Sequence, residues 1–246
     1  MKTKKKTFYK IALVLIIILL IFTFAFYIYT LDYSKALPLA TEKLNSSTII
    51  ESNKNNLITF KPQENIKNIG IIFYPGGKVD YKAYIPMLEK IMDEGYTTFL
   101  VKMPFNLAVF DQNAAREIIK DNDKIDSWYI GGHSLGGAMA SVYASKNEMK
   151  INGLILLASY PAADLSKINI PMLSIYGSND EVIDISELED KKDIAPKDST
   201  YFIVEGGNHA YFGNYGEQKG DGDAEITVEE QQNQTASKIL EFLENH

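Results

Sequence analysis

The sequence predicts a three-layer α/β domain, a mostly parallel sheet covered by helices, behind one N-terminal transmembrane helix. Three observations predict it. Short runs rich in Ile, Leu and Val alternate along the chain with segments of helical spacing. The runs lack polar alternation, so both faces of each strand are buried, as in a parallel sheet. Residues 11–31 carry no charge and have no polar face, unlike a buried helix of a globular core.

The elements follow in order. Ile11 to Tyr29 is almost unbroken apolar and aromatic sequence. As a helix it extends about 28 Å, close to the ~30 Å hydrocarbon core of a bilayer. Tyr27, Tyr29 and Tyr33 near its end suit the membrane interface. Residues 33–46 read as a juxtamembrane linker or short helix. Strands are expected at 48–51 and 57–60, as an antiparallel lead-in to the sheet. Ile69–Tyr74 is a continuous apolar strand closed by Pro75-Gly76-Gly77. A helix is expected over 81–94, with Pro86 early in it or kinking it, and a strand over 96–101. A helix over 108–120, a short strand over 127–130 and a small-residue helix over 135–145 come next. Strands are expected at 154–158, 172–176 and 201–204, and an amphipathic helix over 232–243 closes the chain. The 13 residues from Ser159 to Pro171 hold two prolines and no helical pattern.

Composition narrows the function classes. The 246-residue chain has formal net charge -7 and no Cys. That length suits one domain with a sizeable core. The absence of Cys excludes disulfides, Cys-ligated zinc, iron–sulfur centres and a Cys nucleophile. The acidic balance argues against nucleic acid as a partner. The charge is unevenly spread. Lys2, Lys4, Lys5, Lys6 and Lys10 precede the apolar stretch, which leaves 20 basic against 32 acidic residues beyond it, a formal -12. By the positive-inside rule the lysines stay cytoplasmic and the domain lies outside. The expected organisation is a cytoplasmic head (1–10), a signal anchor (11–30), a linker (31–47) and the globular domain (48–246). A cleaved signal peptide is the alternative. The bulky Phe26-Tyr27-Ile28-Tyr29 stands where small residues would mark a cleavage site.

Gly132-His133-Ser134-Leu135-Gly136 is G-x-S-x-G between an expected strand and an expected helix. A nucleophile elbow requires that context, and the pattern alone is weak. Ser134 is the candidate nucleophile, and the Leu135 N–H at the helix N-terminus is a candidate oxyanion donor. A glycine-rich turn capped by Ser134 is the bland reading. Of three histidines, His246 is terminal and His133 lies inside the elbow, so His209 is the candidate base. Asp180 is the candidate acid, in the order Ser–acid–His. Glu181 is its chief rival, with Asp164 and Glu205 behind. Pro75-Gly76-Gly77 is expected to offer the second oxyanion N–H, from Gly77 or else Gly76. Tyr211 and Tyr215 border the expected site as candidate pocket residues. No metal or organic cofactor is expected.

These residues resemble the α/β-hydrolase superfamily. More narrowly, they look like small bacterial hydrolases carrying GGHSLGG, GSxD and GGNHAYFGxYGxQxGDG segments, similar in style to dienelactone hydrolases. The last segment here runs from Gly206 to Gly222, and the likeness extends from about Ile69 to Leu243. The resemblance implies an α/β-hydrolase fold, with serine, acid and histidine at Ser134, Asp180 and His209; this chain departs from a fuller hydrolase pattern in lacking an obvious large cap insertion. It also implies a bacterial source, which together with the apolar anchor gives a bacterial cell membrane as the expected location. Ser134 and Asp180 are 46 residues apart, too close for a substantial lid between them.

The expected chemistry is carboxylesterase-like hydrolysis of a small or exposed ester through an acyl-enzyme, on a small-molecule or cell-envelope acyl substrate. Two alternatives stay open, an acyltransferase with a cell-surface acceptor and a non-catalytic tethered binding module.

Overall fold

The computed structural model describes residues 2–42, 44, 46, 48–52 and 56–246, with side chains from Phe8 onward. Lys43, Asn45 and Ser47 of the expected linker lie outside the described residues. The chain forms two compact units, Met1–Tyr33 and Ser34–His246.

The first unit is helix α1, Lys2–Leu31. Its 24 residues Phe8–Leu31 are long and apolar enough to cross a membrane, and as a helix they extend about 36 Å. The two threonine hydroxyls inside that stretch are satisfied within the helix. Thr23 donates to Leu19 O and Thr30 to Tyr27 O, each at 2.8 Å. Such internal pairing suits a segment surrounded by apolar solvent.

The second unit is built on eight strands: β1 (Ile49–Ser52), β2 (Leu57–Phe60), β3 (Ile69–Tyr74), β4 (Thr97–Val101), β5 (Ser127–His133), β6 (Gly153–Leu157), β7 (Met172–Gly177) and β8 (Ser199–Val204). They form one sheet in the order β1-β2-β4-β3-β5-β6-β7-β8. β1 and β2 pair antiparallel with each other, and β2 pairs antiparallel with β4. The rest of the sheet is parallel. Helices α2 (Ile85–Asp93), α3 (Ala115–Asp121), α4 (Leu135–Lys146), α5 (Ile185–Asp190) and α6 (Val228–Asn245) complete it.

Side-chain alternation along the strands creates two cores. Ile71, Phe73, Tyr129, Ile155 and Leu157 face one way and pack with α2 and α6 residues such as Leu88, Ile91, Ile239 and Phe242. Ile72, Tyr74, Trp128, Ile130, Leu154 and Leu156 face the other way, toward Ala140, Tyr143 and Ala144 of α4. Gly70 lies beside Trp128 in the register, and a Cβ there would come 2.5 Å from the indole. The bulk of the indole thus requires glycine on the neighbouring strand.

Local chemistry sets the boundaries. A 3₁₀ turn over Tyr81–Tyr84, capped by the Asp80 carboxylate, leads into α2 with Pro86 in its first turn, where a missing N–H costs nothing. The helix expected over 108–120 is interrupted. One 3₁₀ turn at Ala108–Phe110 is followed by α3 from Ala115. The buried Tyr74 hydroxyl causes the break, since it accepts the Ala115 N–H at 2.9 Å and donates to Gln112 O at 3.1 Å. β5 runs through Gly131 and Gly132 to His133, past the expected end at Ile130. Helix α5 has no counterpart among the expected elements and is capped by Asp184, whose carboxylate accepts from Ser186 N and Glu187 N.

The residues just after Tyr33 belong to the folded unit. Ser34 bridges to Val79, Ser34 N donates to Lys78 O, Leu37 N donates to Asn214 O, and Ala40 is buried.

Candidate active site

Four loops converge at the C-terminal ends of parallel strands, where open α/β sheets carry their sites. They follow β3 (Pro75-Gly76-Gly77), β5 (Ser134), β7 (Asp180) and β8 (His209).

Ser134 joins β5 directly to α4 with φ 50° and ψ -122°, a strained conformation for a residue with a Cβ. Its surroundings hold it there. Ser134 N donates to Leu157 O at 2.9 Å, and Ser159 Oγ donates to Ser134 O at 2.8 Å. The sharp reversal also needs bare backbone. A Cβ on Gly132 would lie 2.6 Å from Tyr74 O, and one on Gly136 would overlap the Tyr74 and Pro75 carbonyls. Ser134 is half-buried at the N-terminus of α4, next to the Leu135 N–H.

Asp180 and His209 are buried together. His209 Nδ1 lies 2.9 Å from Asp180 Oδ2, with the His209 side chain 2% and the Asp180 side chain 0% exposed. The other Asp180 oxygen accepts Val182 N and Ile183 N, each at 2.9 Å. A carboxylate so placed fixes the proton on Nδ1 and leaves Nε2 as the basic nitrogen. The rival carboxylates stand apart. Glu181 and Glu205 are exposed, and Asp164 accepts from Ser166 N and Oγ. Among the described residues no hydrogen bond joins Ser134 Oγ to the imidazole.

The His209 loop is held by residues the sequence reading did not single out. Asp221 Oδ1 accepts His209 N (3.1 Å) and Gly222 N (2.9 Å), and Asp221 Oδ2 accepts Ala210 N (2.8 Å). Fully buried Gln231 grips Asn208 from both sides, through N–H to Oε1 (3.0 Å) and Nε2–H to carbonyl (2.8 Å). Asn208 in turn accepts Tyr211 N and donates to Gly222 O. Asp221 lies within the Gly206–Gly222 motif, which was a usable signal. Gln231 carried none.

The two glycines of the first loop differ. Gly76 N donates to the Tyr84 hydroxyl at 3.0 Å, so that N–H is already engaged. Gly77 is half-buried and lies against Leu135, whose Cδ2 would be 2.9 Å from an added Cβ. His133 is buried. Its Nδ1 lies 2.8 Å from the Tyr84 hydroxyl and its Nε2 3.1 Å from His209 O. Burial, and next the neighbouring His209, hold the His133 pKa well below the ordinary imidazole value, so the ring is neutral.

The two candidate pocket tyrosines also differ. Tyr215 is buried in the core, with its hydroxyl donating to Gln218 Oε1 at 3.1 Å. Burial raises its pKa well above the usual phenol value. It packs into the core and ties the loop together through Gln218. Tyr211 is half-buried and lines a cleft of ≈ 280 Å³ with Asn208, Gln218 and Asp221. A larger cavity of ≈ 520 Å³, lined by residues such as Leu39, Ile85, Pro86 and Val228, contains none of the candidate site residues. Among the described residues no group of three or more His, Asp or Glu side chains is arranged to hold a metal ion.

The profile of the alpha/beta hydrolase family matches residues 70–233. The chain belongs to that family. No match was found among curated proteins. Solved structures share the fold at low identity. Est1E from Butyrivibrio proteoclasticus is 17% identical over 78% of this chain and 97% of its own, with a TM-score of 0.56. XC6422 from Xanthomonas campestris, described as an α/β serine hydrolase without a lid, is 15% identical over 76% and 88%, with a TM-score of 0.53. An α/β serine hydrolase homologue from Coxiella burnetii is 17% identical over 79% and 97%, with a TM-score of 0.55.

Proposed function

We propose that this chain is a membrane-tethered serine hydrolase that cleaves small or exposed carboxylic esters through an acyl-enzyme on Ser134. The observation that carries the reading is the buried Asp180–His209 pair at the same sheet edge as a serine held in a strained strand-to-helix turn. In the first step Ser134 Oγ attacks the ester carbonyl carbon and its proton passes to His209 Nε2. The carbonyl π electrons move to oxygen, and the oxyanion is met by the N–H groups of Leu135 and Gly77. Collapse expels the alkoxide, which takes the proton from His209. Water then gives a proton to His209 and attacks the acyl carbon, the acid leaves, and Ser134 Oγ recovers its proton.

The substrate range follows from what covers the site. Between β6 and β7 the chain has 14 residues and no helix, so a small or protruding ester fits better than one needing a deep acyl tunnel. One structure of Est1E is described with ferulic acid bound, which makes hydroxycinnamoyl esters sensible members of a test series. The five lysines at the N-terminal end of helix α1 support a cytoplasmic N-terminus and an extracytoplasmic domain. The motif segments around Ser134 and His209 support the small bacterial, dienelactone-hydrolase-like subtype.

The test uses the full chain in detergent with p-nitrophenyl esters of increasing acyl length and with a fluorophosphonate probe. Wild type is expected to turn over the short esters and to label covalently, and Ser134→Ala to do neither. Full turnover and labelling in Ser134→Ala would overturn the assignment.

A further inference from the structure

We infer that Tyr84 and His133 form a buried positioning relay that sets the oxyanion loop and the base-bearing loop from one point. The inference rests on the esterase reading above and adds two residues to it.

The hydrogen bonds allow only one direction of travel. The His209 carbonyl can only accept, so His133 Nε2, 3.1 Å away, carries the proton. With the ring neutral, Nδ1 is an acceptor, so the Tyr84 hydroxyl at 2.8 Å must donate to it. The Tyr84 oxygen then accepts the Gly76 N–H at 3.0 Å. The chain reads Gly76 N–H to Tyr84 Oη–H to His133 Nδ1, then His133 Nε2–H to His209 O. Every polar atom along it is satisfied, in a site with Tyr84 0% and His133 1% exposed. A buried network of this kind is rigid when complete and costly when one member is lost.

Packing fixes the relay in place. The His133 ring lies 4.6 Å from the His209 ring and 5.7 Å from that of Phe212, and Tyr84 packs at 5.2 Å against Phe73. A Cβ on Gly76 would come 2.7 Å from His133 Nδ1 and 2.8 Å from the Tyr84 hydroxyl. The first glycine of the loop is therefore required by the relay. Because its N–H is committed there, the next N–H, that of Gly77, is the one left for substrate. At the other end the His209 backbone is held between His133 below its carbonyl and Asp221 at its N–H. Tyr84 and His133 touch neither substrate nor reacting atoms. They act through the groups they hold.

The experiment uses the full chain in detergent and compares wild type with Tyr84→Phe, His133→Gln and the double variant. Tyr84→Phe keeps the ring and removes only the hydroxyl, so it tests the relay without emptying the core. It is expected to lower kcat by about 10-fold or more, since small misplacements of reacting groups cost that much. KM is expected within about twofold, with the burst of active sites per chain and the acid limb of the pH–rate profile unchanged, because Asp180–His209 is intact. His133→Gln replaces the rigid ring by a flexible amide that must serve Tyr84 and His209 O at once, so the double variant should lose little beyond either single one. Wild-type kcat in Tyr84→Phe, a fall in kcat matched by a fall in burst amplitude, or additive losses in the double variant overturns the relay. A second readout does not depend on ester turnover. ¹⁵N-histidine spectra should show His133 as the neutral Nε2–H tautomer in wild type, altered in Tyr84→Phe. An Nδ1–H or doubly protonated His133 overturns the relay even if the chain hydrolyses nothing. A wild-type chain with no Ser134-dependent turnover but with this signature overturns only the esterase reading.

Discussion

Asp180 Oδ2 and His209 Nδ1 lie 2.9 Å apart with both side chains sealed from solvent. The Asp180 carboxylate has two further N–H donors, from Val182 and Ile183, so it is held as an acceptor toward the ring. Asp180→Asn offers the ring an amide in its place and favours the tautomer with the proton on Nε2. The expected outcome is a fall in kcat of about 10³–10⁴ with a small change in KM. Steady-state ester hydrolysis measures it, and a loss below tenfold would count against this acid.

Gly136 tests the elbow through the backbone. Any Cβ there runs into two carbonyl oxygens that belong to the β3 exit, and neither can swing aside as a side chain would. Gly136→Ala is expected to cost about 2–3 kcal/mol as overpacking. In thermal melts that corresponds to a Tm lower by roughly 4–12 °C for a domain of this size. An unchanged melting curve would mean that the crossing of β3 and α4 is looser than described.

Asp221 tests the loop that carries His209. Asp221→Ala leaves three backbone N–H groups without their acceptor, including that of His209 itself. A loss of about 1–3 kcal/mol in stability is expected, together with a fall in kcat. Asp221→Asn retains one acceptor oxygen and should fall between wild type and Asp221→Ala in both measurements. Equal loss from both variants would point to the charge and not to the bonds.

Glu230 sets a pH dependence of stability. Thr227 N and Oγ1 both donate to its carboxylate at the start of α6, and these backbone and side-chain bonds hold its pKa below the ordinary value of 4.5. A group depressed on folding stabilises the native form above its unfolded pKa, and the effect is lost as pH falls through the folded value. Glu230→Gln should therefore melt below wild type at neutral pH, and the two curves should converge in the acid range below about pH 4. A constant gap between the two Tm–pH curves would contradict this role.

The strands were the most legible part of the sequence. Ile69–Tyr74 is apolar at every position except Gly70 because both of its faces are covered, and its limits in the structure are those expected. Ser134, Asp180 and His209 stand out in the sequence as candidates because each follows a strand, with the order of a known chemistry, and the structure brings Asp180 and His209 into contact. The failures share a cause, long-range contacts that leave no local pattern. Tyr74 looks like one more strand residue, yet its hydroxyl decides where α3 begins, 41 residues away. Gly131 and Gly132 have weak strand propensity, yet they pair with β3 and β6 on both sides. Tyr84 fills an apolar position of a helical pattern, and nothing near it signals a partner at His133. Ala40, in sequence that looks like a linker, is buried by neighbours far along the chain.

The helix-free stretch between Leu157 and Met172 has a kinetic meaning. In hydrolases with a mobile cover, its swing on the microsecond-to-millisecond scale often sets the turnover number. Here the connection is short and pinned, with Leu165 N on Ile194 O and Ser159 Oγ on Ser134 O. Among the described residues this connection holds no helix that, on the proposed esterase reading, would have to move aside before an ester reached Ser134. On the proposed esterase reading, encounter and fit, not gating, would govern how fast the first bond is broken, and dissolved and micellar forms of one ester should be attacked without a lag.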